Sequence, residues 1–235
     1  MITVDWNCLP VPQNCRTLDI GCGSGRHAAA VLDRNNGHVV GADPNYSDLQ
    51  DAHARLCFHE SLGRKGTWSL TGADITHLPF ADRCFDVVIC SEVLEHIDDH
   101  ISGLREIVRV LKNGGQLVVS VPRSWPETLC WALSRQYRQT EGGHIRIYAR
   151  QQLINHVQSC GMMHWRTHFA HSLHTPFWWL KCLLGPTRDN LWPVRQYHRL
   201  LTWDMMQRPA LTRLVDRLLN PVMGKSVVLY FHKPQ

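Results

Sequence analysis

Three alternating glycines constrain how this chain can begin to fold. Gly21, Gly23 and Gly25 follow Thr17-Leu18-Asp19-Ile20, a run of buried-strand character, and precede Arg26-His27-Ala28-Ala29-Ala30-Val31-Leu32, a helix-forming run. Without a Cβ, the backbone can turn sharply after the strand and approach a bound molecule closely. Strand, glycine loop and helix N-terminus in that order form a nucleotide-type binding site. A dinucleotide site would read G-x-G-x-x-G, with a pyrophosphate on the helix dipole. Here the third glycine comes one residue early, and Arg26 stands where that motif needs glycine.

The rest of the chain repeats the strand–helix alternation. Residues 38–43 read as a second strand ending in Asp43, after an Asn35-Asn36-Gly37 stop. A helix is predicted over 46–59, a third strand over 67–72 and a fourth over 84–90. An amphipathic helix follows over 101–112, with Asn113-Gly114-Gly115 as its cap, then a fifth strand over 116–121 closed by Pro122. Strands alternating with helices predict a parallel, doubly wound sheet. A helix over 151–160, a sixth strand over 162–171 and a seventh over 225–232 complete it. Two stretches interrupt the pattern, at 123–143 and 172–224. The second holds amphipathic helices near 193–206 and 210–219. The 235 residues suit one domain carrying two insertions.

Composition excludes several classes. With 44% hydrophobic and 19% charged residues the chain is a folded one, not a disordered tail. No apolar run reaches the roughly 18 residues that span a bilayer. The N-terminal stretch has neither the basic nor the apolar region of a signal peptide, so a cytoplasmic location is expected. The nine cysteines form no C-x-x-C pair, which argues for reduced thiols and against a disulfide framework or zinc site. Residues 1–143 hold 13 Lys+Arg against 17 Asp+Glu, and residues 144–235 hold 12 against 3. That basic C-terminal third suits an anionic substrate, a lipid headgroup or RNA, or is a solvated arginine-rich face.

Four stretches together resemble the class I S-adenosylmethionine-dependent methyltransferases, of the small-molecule type that includes ubiquinone and menaquinone methyltransferases. They are Leu18-Asp19-Ile20-Gly21-Cys22-Gly23-Ser24-Gly25-Arg26-His27, Val40-Gly41-Ala42-Asp43, Gly72-Ala73-Asp74-Ile75 with Leu78-Pro79-Phe80, and Phe85-Asp86-Val87-Val88 through Ser91-Glu92-Val93-Leu94-Glu95-His96-Ile97. Leu111-Lys112-Asn113-Gly114-Gly115 is similar to the family's L-[KR]-P-G-G turn, with Asn113 in place of proline. The resemblance implies a Rossmann-like seven-stranded sheet with two cap insertions. It implies S-adenosyl-L-methionine as methyl donor and S-adenosyl-L-homocysteine as product. It places the cofactor on Asp19, Gly21, Cys22, Gly23, Gly25, His27, Asp43, Pro44, Asp74, Ile75, Ser91 and Glu92. Asp43 would accept from the ribose hydroxyls, Asp74 from the adenine amino group, and Asp19 would lie near the cationic methionine end.

The acceptor side is read from chemistry. His96 follows the fourth strand, on the edge where ligands of open α/β sheets bind, and could take a proton from a substrate hydroxyl. Scaffolding of the cofactor pocket is the competing reading. Trp125, Trp131, Tyr137, Arg135, Arg138 and His144 are the candidate substrate contacts: apolar walls with cations to meet a polar group. Phe177-Trp178-Trp179-Leu180 is core packing, a substrate lid, or a peripheral foot in a membrane interface. His164, His168, His171 and His174 lack a cysteine or carboxylate to complete a metal set, so no metal is expected there. The expected activity is methyl transfer to oxygen, nitrogen or carbon of a small, partly apolar acceptor. An RNA-modifying methyltransferase is the alternative, resting on the basic, tryptophan-bearing C-terminal third.

Overall fold

The computed structural model describes every residue except Met1, Pro10, Val11, Asn35, Asn36, Arg64, Lys65, Glu141, Pro186 and Arg208. The Asn35-Asn36 helix stop therefore lies outside the described residues. In chain order the elements are β1 (Arg16–Ile20), α1 (Arg26–Leu32), β2 (His38–Asp43), α2 (Tyr46–Ser61), β3 (Thr67–Gly72), β4 (Phe85–Ser91), α3 (His100–Val110) and β5 (Leu111–Pro122). There follow α4 (Ser124–Leu133), α5 (Arg135–Arg138), α6 (Arg150–Ser159), β6 (Met163–Ala170), α7 (His174–Leu184), α8 (Trp192–Gln207), α9 (Ala210–Met223) and β7 (Ser226–His232). A single 3-10 turn, Leu94–His96, follows β4.

The seven strands form one sheet in the order β3-β2-β1-β4-β5-β7-β6. β1 to β5 are parallel, whereas β7 runs antiparallel to both β5 and β6. The parallel sheet expected from the strand–helix alternation is thus present in β1 to β5, and the last strand runs against it. β7 enters from the second insertion, which returns the chain to the C-terminal edge of β5, so it can only run back. Alternate residues of each central strand face opposite layers, as the two-residue period demands. Val88 and Cys90 pack with Leu104 and Ile107 of α3 and Leu153 and Val157 of α6. Val87 and Ile89 pack with Ala28, Ala29 and Leu32 of α1 and Leu56 of α2.

Helix starts follow side-chain chemistry. Asn45 accepts from Ser47 N (3.0 Å) to cap α2, and Asp99 accepts from Ser102 N (3.0 Å) to cap α3. The Leu111–Gly115 stretch, expected as the end of the helix and its Asn113-Gly114-Gly115 cap, instead opens β5. Leu111 is already extended and pairs with Phe85, and the register then slips before Val87 meets Gln116. Gly114, at φ +74°, supplies the left-handed residue that this slip needs.

The parallel register brings Gly21, Asp43, Gly72 and Ser91 to one edge of the sheet. Both insertions rise from that same side. Residues 123–143 form α4 and α5, and α4 packs on α7 of the second insertion. The second insertion has a core of its own around Phe177, Val194 and Leu201. It is tied down by polar contacts: Ser172 Oγ donates to Asp216 Oδ1 (2.6 Å), Thr175 Oγ1 donates to Met223 O (2.7 Å), and Arg123 donates to the carbonyls of Pro221 and Val222 (3.0 Å each) at the end of α9.

Candidate active site

The three glycines of the loop all have positive φ, but for different reasons. A Cβ on Gly21 would run into Val93 Cγ2, and one on Gly25 would sit 3.1 Å from Ala52 Cβ. Those two are glycines because protein packs against them. A Cβ on Gly23 would meet nothing within 4 Å, at φ +48°. Gly23 therefore faces open space kept clear of side chains, the shape a close-approaching ligand requires.

Around that space stand acids at strand ends. Asp43 closes β2, and its two oxygens hold two loops: Oδ2 accepts from Gly23 N and Oδ1 from Asn45 N, each at 2.9 Å. A carboxylate oxygen has two lone pairs, so both can still accept from a diol. Asp19 is buried beneath the loop, where Oδ2 accepts from Ala28 N (3.0 Å). Burial, with the Asp43 charge nearby, pushes its carboxyl up to about 7 despite that bond. Asp74 is exposed, and its Oδ1 accepts from Thr76 N (2.8 Å) and Thr76 Oγ1 (2.9 Å), which hold its carboxyl below the ordinary range. Ile75 is buried beside it, against Gly103. Pro44 is exposed after β2.

The remaining cofactor candidates are held by bonds within the protein. Cys22 is buried, and its backbone N–H donates to Ala42 O (3.1 Å), which ties the loop to β2. His27 lies under the loop and accepts at Nε2 from Thr3 N (3.1 Å). Burial pushes its imidazole down to about 4, so the ring is neutral and carries its proton on Nδ1. Ser91 joins a hydroxyl chain in which Thr3 Oγ1, Ser91 Oγ and Ser120 Oγ are linked at 2.8 Å. Ser120 also donates to Glu92 Oε1 (3.1 Å), and Glu92 adopts φ +58°. Thr3 was not legible as part of this edge, since nothing local in the sequence ties it to residues 27 and 91.

Beyond the glycine loop, the turn after β4 meets the first insertion. His96 Nδ1 donates to Gly143 O (3.1 Å), and its ring stands 5.1 Å from that of His144. Burial and the neighbouring His144 lower the His96 pKa, so its Nε2 carries a free lone pair at neutral pH. His144 Nδ1 donates to Glu127 Oε1 (2.6 Å), and Tyr137 OH donates to Glu127 Oε2 (3.4 Å). Burial works against the Glu127 charge, but these donors prevail and hold its carboxyl below the ordinary value. Glu127 was absent from the sequence-derived set. Its one signal is that it is the only charged residue in the otherwise largely apolar run of α4.

His96 and His144 line two adjoining cavities. One, of about 450 Å³, also touches Trp131 and Arg138, which stack at 5.0 Å. The other, of about 370 Å³, touches Tyr137, Trp178 and Lys225. Trp125 lies against Trp179 with ring centres 5.4 Å apart, and Trp179 Nε1 donates to Pro126 O (3.2 Å). Arg135 is exposed and lines neither cavity. The four later histidines serve packing: His168 Nε2 donates to Thr3 O (3.1 Å), His164 pairs with Thr167 (2.9 Å), and the His171 and His174 rings meet at 5.6 Å.

Comparison with known proteins decides the family. The family model described as a methyltransferase domain matches residues 18–119, which hold the glycine loop and the acids at 19, 43 and 74. Residues 18–119 belong to the methyltransferase domain family. This domain is 35% identical over 112 residues to "Methyltransferase GfsG" of Streptomyces halstedii, covering 48% of this chain and 39% of that protein. It is 36% identical over 119 residues to the "Ubiquinone/menaquinone biosynthesis C-methyltransferase UbiE" of Haemophilus ducreyi, covering 50% and 44%. The matches thus span less than half the length of these relatives. A putative methyltransferase structure from Bacillus halodurans shares the fold at a TM-score of 0.67 and 18% identity, over 97% of this chain and 96% of that one. Residues 120–235, which hold both insertions, lie outside that match.

Proposed function

We propose that this chain is an S-adenosylmethionine-dependent methyltransferase acting on a small, partly apolar acceptor, with 1–235 as one domain and 123–143 and 172–224 as caps. One observation carries the reading: Gly23 faces open space at positive φ, between buried Asp19 and Asp43. In that setting Asp43 accepts from the ribose hydroxyls, Asp74 from the adenine amino group, and Asp19 faces the cationic end. When bound, the cofactor supplies an electrophilic methyl group on a sulfonium. The protein's part is to align the acceptor, because direct displacement draws most of its rate from proximity and orientation. Trp131, Tyr137 and Trp178 give the acceptor an apolar surface, Arg138 and Lys225 meet its polar end, and His96 offers a lone pair to its reacting group. The relative named for C-methyl transfer in ubiquinone and menaquinone biosynthesis supports a small acceptor rather than RNA. Titration calorimetry should show S-adenosylhomocysteine binding at one equivalent and no NAD binding. Tighter NAD binding would overturn the reading.

A peripheral contact with an anionic bilayer is the second proposal, supported by α9 rather than by Trp178 and Trp179, which are half-buried within the cap. The polar side of α9, through Asp216 and Asn220, bonds to Ser172 and Leu173. Its apolar stripe of Leu211, Leu214, Leu218 and Val222 faces outward, 51% to 71% exposed. Exposed Trp203 and Met206 lie on α8, and Arg195, Arg199, Arg213 and Arg217 share the two helices. Leucines outside and arginines nearby suit an interface-lying helix. No helix among the described residues is long and apolar enough to cross a membrane. The protein should co-sediment with phosphatidylglycerol vesicles, and Leu214→Asp with Leu218→Asp should abolish this, whereas Trp178→Ala with Trp179→Ala should not. Absence of sedimentation would remove the proposal.

A further inference from the structure

Glu95 is a buried acid in the 3-10 turn after β4. It is fully buried, and neither carboxylate oxygen has a hydrogen-bond partner among the described residues. An unpartnered buried carboxylate costs several kcal/mol, so such a group is normally paired, protonated or bound to a metal. What surrounds it is ordered. His96 Nε2 lies 4.0 Å from Glu95 Oε1. The ligand atoms of Glu95, His96 and His144 all fall within 4.8 Å of one another. A cation with bonds of about 2.1 Å holds its ligand atoms roughly 3 to 3.4 Å apart, so rotations of about an ångström would close the set.

The outer contacts fit the same purpose. Each imidazole uses Nδ1 for a fixed acceptor, Gly143 O for His96 and Glu127 Oε1 for His144, so Nε2 is the atom that each can offer to a ligand. Carboxylate or carbonyl support of a ligating histidine's second nitrogen is the usual outer shell of a metal site. Glu92 adds a second negative charge near Glu95. The cavity lined by both imidazoles leaves room for further ligands.

We propose that Glu95, His96 and His144 bind a divalent first-row transition cation, with Glu127 as the positioning residue for His144, and that the cation coordinates an oxygen donor of the acceptor. Two imidazoles with a carboxylate and no thiolate suit zinc, iron or manganese. This deepens the methyltransferase reading and rests on it only for the word acceptor. A coordinated hydroxyl becomes more acidic and loses its proton to bulk water, leaving an oxygen anion on the cation. His96 then serves as a ligand, not as a free base. The acceptor class this favours is a hydroxyl compound, not an amine that is protonated at neutral pH.

Chelator-treated full-length protein titrated with Co²⁺ tests this, because visible d–d absorption reports the ligands directly. One saturable equivalent is expected, displaced by Zn²⁺. His144→Ala and Glu95→Gln should each weaken Co²⁺ binding at least tenfold and change the spectrum. Glu127→Gln should weaken it roughly 10- to 100-fold, with His164→Ala as an unaffected control. S-adenosylhomocysteine affinity, measured on the same His144→Ala protein, should stay within about twofold of the parent, so loss of cofactor binding and loss of metal binding are told apart. Should Glu95→Gln fail to fold, His96→Asn replaces it. No saturable Co²⁺ binding, or binding indifferent to both His144→Ala and the Glu95 or His96 change, overturns the proposal.

Discussion

Gly23→Val should raise the dissociation constant for S-adenosylhomocysteine more than 100-fold, about 2.7 kcal/mol or more. Two effects act together. The valine side chain would enter the open space in front of the loop, where no protein atom lies within 4 Å of the built Cβ. A β-branched residue at φ +48° is also strained, and an L-residue in the left-handed region costs roughly 1–2 kcal/mol. Strain alone can be separated from steric exclusion. Gly161, at φ +91°, likewise has open space around a built Cβ and lies at the end of α6. Gly161→Val should therefore lower the melting temperature by a similar few degrees and leave ligand affinity unchanged. Equal affinities for the parent and a folded Gly23→Val protein would show that this loop is not the cofactor site.

The contrast between Gly23 and its neighbours also marks what the sequence could and could not say. Three glycines in alternation looked equivalent, yet Gly21 and Gly25 answer to Val93 and Ala52, and only Gly23 answers to absent matter. The strands were legible because both faces of a central parallel strand are buried, which leaves runs such as Val87-Val88-Ile89. The direction of β7 was not, because an apolar run reads the same in both senses. Asp43 was legible from its place at a strand end. The Glu127–His144 pair and the Thr3 contacts were not, since they join residues 17, 24 and 88 positions apart through tertiary packing. Helix α9 shows a third kind of limit. Its periodicity gives an apolar stripe, but only the bonds from Asp216 and Asn220 to the β6–α7 turn reveal that the stripe faces away from the body.

Asp43→Ala should weaken S-adenosylhomocysteine binding by about 1.5–3 kcal/mol, or roughly 10- to 150-fold. The carboxylate does two tasks. One is direct, as the acceptor for a ribose diol, where a charged hydrogen bond is lost. The other is indirect, because Oδ2 holds Gly23 N and Oδ1 holds Asn45 N, so the alanine frees both ends of the loop that frames the site. Asp43 is the last paired residue of β2, opposite Gly72, and it pairs through its backbone, so the alanine keeps the ladder and circular dichroism should be unchanged. Asp43→Asn separates the two tasks. An amide keeps one oxygen that can hold Gly23 N–H, but its NH₂ group cannot accept from Asn45 N–H or from a diol. If loop framing dominates, Asp43→Asn should recover most of the affinity. If the diol contact dominates, Asp43→Asn, left with one accepting oxygen for two hydroxyls, should fall well short of the parent, and adenine alone should bind all three proteins alike. Parent-like affinity in Asp43→Ala would refute the assignment, because among the described residues no other carboxylate bonded to the glycine loop closes a strand at that position.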